Sequence, residues 1–359
     1  MRLVVIIVFL LPIFLGAQPV KSKSAGALPQ PAMHEGDNAP SIAKDAVSLM
    51  KETSSGAYWL ERYTQKRNEF LAGDGIISAA ETSSLNSIVS QAAQQCSGSF
   101  ELHYMLCRQS RNMALASQHL KNAQQAGGGN EQLHAEEAWI AERKGDKKAL
   151  NAALASYQKK GGISPAQLQA AKWTLDVVPN DALIITHGEF DTYGLWYAAN
   201  AQRHVVSLAM IEDRNWLQNK ISSWDKSLVI PASTSTSAAV LAHILAHASK
   251  PVYLSLGIRP ELLQSYSANL FPVGPVALYS SSSTDLFNAR RSFYLSSDLK
   301  RNLSLLSAGD AYAAALSNLL PGALALKNEA SRLSASDLKA VEQIIRQISQ
   351  ISGKRVPND

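Results

Sequence analysis

The feature that most constrains the fold is a change of sequence pattern at Asp181. Up to Val178 the apolar residues recur with the spacing of amphipathic helices, and glycine-containing segments such as 127–129 and 161–162 separate them. After Asp181, short apolar runs alternate with helix-length segments, as in strands joined by crossover helices. The sequence therefore predicts an α/β fold with a large all-α part, in which helices precede a small parallel-sheet domain and further helices follow it.

The helices that precede the change are about 12 to 15 residues long and have short loops between them. This arrangement is typical of stacked helical hairpins of the tetratricopeptide type, which present a concave surface to a partner protein. Because the repeat signature is poor, a helical layer that only supports the next domain is the alternative. We assign residues 41–178 to this tetratricopeptide-like domain, whose first helix is predicted to begin at Ser41 and whose last at Ser164-Pro165. We assign 179–300 to the α/β domain and 301–359 to C-terminal helices, the last of which is predicted to begin at Ser334 with Asp337 in capping-box position.

The N-terminus has the residue order of a secretory signal peptide. Arg2 precedes an apolar run over Leu3–Leu15, and the small residues Gly16 and Ala17 follow it. The run is too short to span a bilayer comfortably. We expect cleavage after Ala17, with Ala27 as the second choice and an uncleaved anchor as the alternative.

Residues 1–17 are thus the expected signal peptide, and residues 18–40, rich in Pro, Gly, Ala, Ser and Lys, are an expected flexible linker. The mature protein is predicted to be periplasmic or secreted, with no membrane span after signal cleavage. The net charge of +5 is spread along the chain, without a Lys/Arg block that carries interleaved aromatics. We therefore expect no nucleic-acid partner.

Two cysteines, Cys96 and Cys107, are present. On one continuous helix their separation would be roughly 16 Å, which a disulfide cannot bridge. The segment 97–99, Ser-Gly-Ser, provides a turn between them. Because export leads to an oxidising compartment, we expect a disulfide that joins two antiparallel helices near their corner, with two free thiols as the alternative.

In a parallel sheet the ligand site lies beyond the carboxyl ends of the strands. Three of the predicted strands are Ala182–Thr186, His204–Ile211 and Pro251–Leu256, and Leu228–Ile230 and Val273–Tyr279 are two further candidate strands. Two arginines and a Ser/Thr-rich helix start near these ends would suit an anionic or carbohydrate group. The candidate ligand-pocket residues follow the three strands in turn: His187, Glu189, Asp191, Thr192, Arg214 and Arg259.

Each of these residues also has a purely structural interpretation. Asp191 or Thr192 can cap the helix predicted over Tyr193–Ala201, and Arg214 can pair with a neighbouring carboxylate at the surface. Under this interpretation the strand ends carry no shared pocket.

Two groups of residues have a spacing that a metal ion could use. His243 and His247 lie four residues apart on a predicted helix, but the residues between them are aliphatic, so the glutamate of the zinc-protease motif is missing. His187, Glu189 and Asp191 alternate on a turn. Glycine-rich phosphate loops and a nucleophile elbow are absent from the sequence. We expect neither a metal nor a cofactor.

The segment Thr186–Tyr197 resembles a segment in the extracytoplasmic part of bacterial multi-span membrane proteins of the protein O-mannosyltransferase-like family. There the pattern runs approximately Asn-Gly-Asp-Asn-Asp-Thr-Tyr-Pro-Leu-Trp-Tyr. In this sequence the matching residues are Gly188, Asp191, Thr192, Tyr193, Leu195, Trp196 and Tyr197. The departures are Glu189, Phe190 and Gly194, where the family has Asp, Asn and Pro.

The resemblance continues through His204–Leu208 and Asn215-Trp216 to Lys250–Tyr253, which is similar to a later Arg-Pro-Val-Tyr strand, and covers about Asn180–Tyr279. It implies an extracytoplasmic α/β module. Glycosyl transfer in that family would belong to its multi-span membrane portion, so the resemblance does not imply transferase activity here.

The sequence supports two functions. The preferred one is a non-catalytic exported binding or scaffold protein of the cell envelope, whose helices bind a protein partner and whose α/β module binds a small ligand or docks to a complex. The alternative is an extracytoplasmic enzyme that acts on glycans or another anionic substrate, with Glu189 and Asp191 as acid/base groups and Arg214 and Arg259 orienting the substrate. Convergence of these four residues on one pocket would favour the enzyme.

Overall fold

The computed structural model describes residues 55–72, 77–110, 112–127, 131–199, 203–211, 213–234, 236–306 and 313–354. The expected signal peptide (1–17), the expected linker (18–40) and the helix predicted to begin at Ser41 lie outside these ranges. Among the helices that the structure describes, none is long and apolar enough to cross a membrane.

Within the described residues, seven helices precede the first strand: α1 (Gly56–Ala72), α2 (Ala79–Gln95), α3 (Phe100–Gln109), α4 (Met113–Gly127), α5 (Glu131–Lys144), α6 (Lys147–Lys159) and α7 (Pro165–Val177). Helices that follow each other in the sequence pack together, such as α3 with α4 and α5 with α6. This packing fits helical hairpins, whereas their tetratricopeptide character stays a prediction.

Local sequence signals set the starts of these helices. Ser164 caps α7 and forms a capping box with Gln167, while Pro165 occupies the first helical position, as the sequence predicts. Gly145, with φ +68°, ends α5, and Asp146 then caps α6.

The α/β part contains a five-stranded sheet in the order β2-β1-β3-β5-β4. β1 pairs in parallel with β2 and β3, whereas β5 pairs antiparallel with β3 and β4. The strands are β1 (Leu183–Thr186), β2 (His204–Ser207), β3 (Val252–Ser255), β4 (Leu270–Val273) and β5 (Val276–Tyr279). The helices between them are α8 (Glu189–Ala199), α9 (Arg214–Trp224), α10 (Ser237–His247) and the short α11 (Pro260–Leu263).

The sheet is mixed, so the prediction of a parallel sheet was wrong for its second half. The single strand proposed over Val273–Tyr279 is interrupted by a turn at Gly274, whose φ of +59° suits a glycine. The chain reverses there, and β4 and β5 form an antiparallel hairpin. The segment 228–230, proposed as a short strand, is not a strand, and β2 ends at Ser207 before a 3₁₀ turn.

After the sheet come α12 (Phe287–Tyr294), α13 (Ser297–Leu305), α14 (Leu320–Asn328) and α15 (Ala335–Ser352). Ser334 caps α15 by accepting a hydrogen bond from the backbone N–H of Asp337, as the sequence predicts. These helices bury their apolar faces against α7, where Trp173 is packed among them.

The main core crosses the boundary that we place between residues 178 and 179. Buried residues of α5, α6 and α7 belong to the same cluster as the strands, with Ala138 and Leu154 packed in one core with Leu183 and Leu254. These helices therefore share the core of the sheet, and α6 and α7 pack against α8. Their position places the ends of α3 and α5 beside the carboxyl ends of β1 and β2.

Candidate functional site

The chain moves from β1 to β2 on one side and later to β3 on the other side of β1, so the strand order reverses at β1. In an open α/β sheet the crevice at such a reversal is the usual place for a ligand. His187 and Gly188 follow β1, Ser255 ends β3 and Gly257 follows it, and together these residues line a cavity of about 200 Å³. We call this space the switch-point cavity.

The turn after β1 is held by the first residues of α8. Asp191 Oδ2 accepts the backbone N–H of His187 at 3.2 Å, and Oδ1 accepts that of Gly188 at 3.1 Å. Because the carboxylate lies inside the protein, burial raises its pKa, although hydrogen bonds from Ser255 and the backbone oppose that rise. α8 begins at Glu189, four residues earlier than predicted, so Asp191 stabilises the helix start from inside its first turn.

Thr192 is fully buried behind this turn. Its hydroxyl lies 2.7 Å from that of Thr186 and donates to the carbonyl of Gly188. It does not line the switch-point cavity. The hydroxyl therefore ties the helix start to the end of β1.

His187 lines the switch-point cavity and carries a buried Nδ1 that has no hydrogen-bond partner among the described residues. Burial lowers its pKa to about 4, and the positive charge of Arg259 acts in the same direction. The imidazole is therefore neutral at pH 7.

A second and larger space, of about 780 Å³, lies between the first helices and the ends of β1 and β2. We call it the arginine cleft. Four guanidinium groups and three carboxylates line it: Arg67, Arg108, Arg143, Arg214, Glu136, Glu189 and Asp213. It shares only Gly188 and Glu189 with the switch-point cavity.

Arg108 of α3 joins the helices to the α/β part. Its Nε lies 3.1 Å from Glu136 Oε1, its Nη2 binds Glu189, and its Nη1 donates to the hydroxyl of Tyr104 at 3.2 Å. Burial alone would lower the pKa of Arg108, but the two carboxylates raise it above its usual value. Burial also raises the pKa of Glu136, whose side chain is 6% exposed.

Arg67 of α1 differs from the other arginines because no hydrogen bond or ion pair of its side chain occurs within the described residues. Burial lowers its pKa, and the nearby charge of Arg108 lowers it further. Glu136 and Glu189 act in the opposite sense, but both bind Arg108. Arg67 thus presents its guanidinium donors to the cleft.

The opposite wall of the cleft is the start of α9. Asp213 caps this helix by accepting the N–H of Trp216 at 3.0 Å, and its other oxygen pairs with Nε of Arg143 at 2.8 Å. Arg214 makes one long hydrogen bond, 3.4 Å, to Thr234. A helix N-terminus favours negative charge, so this wall adds to the attraction of the arginines for an anion.

The structure therefore divides the predicted pocket residues into groups. Glu189 and Arg214 share the arginine cleft, and Glu189 also lines the switch-point cavity with His187 and Asp191. Arg259 precedes α11 and lines neither space. The predicted acid/base and orienting groups thus do not converge on one pocket.

Sequence reasoning missed Arg67, Arg108, Arg143 and Glu136, all of which come from helices far from the strands in the sequence. Their helical periodicity indicates which face is apolar but not which element that face meets. The only signal in the sequence was that the charged residues Arg108 and Glu136 fall on the apolar faces of their helices. Because buried charges are usually paired, such positions indicate an ion pair.

The two cysteines are free thiols in the structure, so the expected disulfide is not formed there. Cys107 packs with the cluster of α3, α4 and α5, whereas Cys96 packs against the separate cluster of α1, α2 and α3. The two cysteine side chains thus pack in different hydrophobic clusters. Burial raises the pKa of Cys107 to about 12, which keeps it protonated.

The histidines with metal-compatible spacing on α10 are engaged with the backbone: His243 Nε2 lies 2.9 Å from the carbonyl of Val229, and His247 Nδ1 lies 2.9 Å from that of His243. Across the part of the chain that the structure describes, no group of three or more His, Cys, Asp or Glu side chains could hold a metal ion. Comparison with protein families, curated proteins and solved structures gave no match.

Proposed function

We propose that this protein is a non-catalytic binding protein that holds a small anionic ligand in the arginine cleft. The observation that carries the proposal is the guanidinium of Arg67, which lies in the cleft wall without a hydrogen bond or ion pair from another described residue. A partly buried charge without a partner is costly, and a bound phosphate or carboxylate would offset that cost.

The surroundings of Arg67 support an anion of small size. Arg143 and Arg214 keep guanidinium N–H groups that make no described hydrogen bond, and the N-terminus of α9 adds a favourable dipole. A space of about 780 Å³ suits a molecule of metabolite size. Sugar phosphates and small polycarboxylates combine this size with the required charge.

The contacts of the two carboxylates favour binding over catalysis. Asp191 uses both oxygens for the turn after β1. Glu189 uses Oε1 to bind Arg108, so this oxygen is not free to act on a ligand as an acid/base group. The enzymatic alternative therefore lacks a free acid/base pair, although it would regain support if a bound ligand were turned over.

We also propose that the protein acts in the cell envelope, on the basis of its N-terminal sequence and of the resemblance of the segment Thr186–Tyr197 to extracytoplasmic modules. The protein partner that we expect for the helices stays a prediction. Since α5–α7 share their core with the α/β part, such a partner would have to use the surface of the earlier helices.

A thermal-shift screen tests the proposed ligand class. The library contains inorganic phosphate, sugar phosphates, nucleotide sugars, di- and tricarboxylates, neutral sugars and divalent metals. We expect anions to raise the melting temperature, and neutral sugars and metals to leave it unchanged. Arg67→Ala should remove the shift, whereas Arg346→Ala, which changes an exposed arginine on α15, should retain it. A library without any stabilising anion would contradict the proposal.

A further inference from the structure

Helix α5 lines the arginine cleft with one of its faces. The residues that it contributes to the wall are Glu136, Trp139, Ile140 and Arg143. Residues spaced by three, four and seven positions lie on the same side of a helix, so these four form one row. Because an α-helix rises about 1.5 Å per residue, Glu136 and Arg143 at the two ends of the row are roughly 10 Å apart along the helix axis.

The end of the row at Glu136 carries one group of cationic side chains. Arg108 Nε lies 3.1 Å from Glu136 Oε1. Arg67 is close to both, since the charges of Arg108 and Glu136 act on its guanidinium. Within the described residues the side chain of Arg67 makes no hydrogen bond or ion pair, so this end of the cleft offers guanidinium donors to an anion.

The end of the row at Arg143 carries a second group. Arg143 pairs through Nε with Asp213 Oδ2 at 2.8 Å, and Arg214 is the next residue in the chain. Asp213 offsets the charge of Arg143, whereas the one hydrogen bond of Arg214 in the described part of the chain is 3.4 Å long and goes to Thr234. The N-terminus of α9 adds its dipole at the same place. A second anionic group would therefore find its charge partner in Arg214.

Between its two ends the row is apolar. Trp139 is half-buried; its ring packs against Trp196, with the ring centroids 6.4 Å apart, and it also lines the cleft. Leu208 and Met210, which follow β2, line the same space. Aromatic side chains bind other rings through stacked or edge-to-face contacts. A ligand that spans the row thus meets a guanidinium, an indole and a second guanidinium in this order.

We infer that the ligand of the arginine cleft is an elongated dianion, with an anionic group at each end and a flat ring system between them that packs on Trp139. One anionic group contacts Arg67 and the other contacts Arg214. The inference rests on the proposed function, because it takes the anion site at Arg67 as its starting point, and it adds the second charge and the ring. A cleft of about 780 Å³ has room for such a molecule.

Titration calorimetry at low ionic strength tests the inference with four probes. They are biphenyl with a para carboxylate on each ring, biphenyl with a single para carboxylate, the aliphatic dianion azelate and inorganic phosphate. The native protein should bind the biphenyl dicarboxylate at one site and about tenfold more tightly than the monocarboxylate or azelate. If phosphate or the monocarboxylate binds and loses affinity in Arg67→Ala, but the dicarboxylate binds no more tightly, the inference is overturned and the anion site stands. If no probe binds, both are overturned.

Three variants assign the contacts. Arg214→Ala should weaken the biphenyl dicarboxylate about tenfold and leave the monocarboxylate unchanged, because a single anion occupies the Arg67 end. Trp139→Leu should weaken the dicarboxylate about fivefold and azelate by less than about twofold. Arg346→Ala, which changes an exposed arginine on α15, should bind every probe as the native protein does. Equal losses for the dicarboxylate and monocarboxylate in Arg214→Ala, or for the dicarboxylate and azelate in Trp139→Leu, would overturn the inference.

A measurement on the native protein covers the case in which Trp139→Leu does not fold. Intermolecular NOEs should connect the ring protons of the biphenyl dicarboxylate to the indole protons of Trp139 and to the methyl groups of Ile140, which line the cleft. NOEs to Leu195 or Val276 instead would place the rings in the switch-point cavity and overturn the inference.

Discussion

Glu189 is the residue on which the two spaces meet, and its carboxylate competes with any anion for Arg108. Glu189→Gln removes one negative charge from the cleft and frees part of the Arg108 guanidinium. We expect anions that bind the native protein to bind this variant roughly fivefold more tightly, which corresponds to about 1 kcal/mol of relieved repulsion. Titration calorimetry measures the change. Unchanged or weaker binding would show that the carboxylate of Glu189 does not repel the bound anion.

The lowered pKa of His187 leads to a prediction about how the stability of the protein depends on pH. Its pKa is about 4 in the folded protein and near 6.5 when unfolded, so the unfolded chain binds more protons between these values. The stability contributed by the neutral imidazole is therefore present above pH 6.5 and is lost as the pH falls towards 4.

We expect the free energy of unfolding of the native protein to fall by about 2 kcal/mol more than that of His187→Phe over this interval. Urea unfolding at several pH values measures both proteins. Other groups titrate in the same range, but they are common to both chains and cancel in the comparison. Parallel curves for the two proteins would contradict the assigned pKa.

At the scale of secondary structure, the hairpin turn between β4 and β5 depends on Gly274. Its φ is +59°, and an added Cβ would lie 3.2 Å from the ring of Phe293. We expect Gly274→Ala to destabilise the protein by about 1–2 kcal/mol. Gly188→Ala is a matched control, because its φ lies outside the left-handed region and its Cβ would contact nothing within 4 Å. Equal stability of the two variants in urea would contradict this explanation of the turn.

The sequence predicted those elements whose signals are local. Ser164-Pro165 predicted the start of α7, and the apolar run before His187 predicted β1. The hairpin was missed because the seven-residue segment Val273–Tyr279, which is apolar apart from Gly274 and Pro275 near its start, reads as one strand. Its reversal depends on pairing with β3. Pairing partners are set by tertiary packing, which periodicity does not encode.

The residues of the candidate site likewise divide into those that the sequence located and those that it did not. His187, Glu189 and Asp191 follow β1, so the rule for carboxyl ends of strands located them from the sequence. Arg67 and Arg108 come from helices whose orientation relative to the sheet depends on a core shared by α5–α7 and the strands. For that reason the anion-binding groups could only be recognised in three dimensions.

At the scale of the whole molecule, ionic and polar contacts bind the helices to the α/β part. Arg108 contacts Glu136 and Glu189, Arg143 pairs with Asp213, and the hydroxyl of Tyr193 donates to the carbonyl of Ala135 at 3.1 Å. We therefore expect the two parts to unfold in a single transition rather than separately.

The pair of Arg108 and Glu136 tests this coupling. Arg108→Met should cost about 3 kcal/mol, because it leaves Glu136 buried without its counter-ion. Adding Glu136→Leu should recover most of the loss, since position 136 then no longer carries a buried charge without its counter-ion. Urea unfolding followed by tryptophan fluorescence and by circular dichroism measures both effects. Two separate transitions, or a double variant less stable than Arg108→Met, would contradict the coupling.

The central claim is that the guanidinium of Arg67 binds an anionic ligand in the arginine cleft. The most direct test titrates the most stabilising anion into the native protein, Arg67→Ala and Arg346→Ala by calorimetry at low ionic strength. We predict one site in the native protein, at least about tenfold weaker binding in Arg67→Ala, and native affinity in Arg346→Ala. Equal affinity of the native protein and Arg67→Ala, or an equal loss in both variants, would contradict the claim.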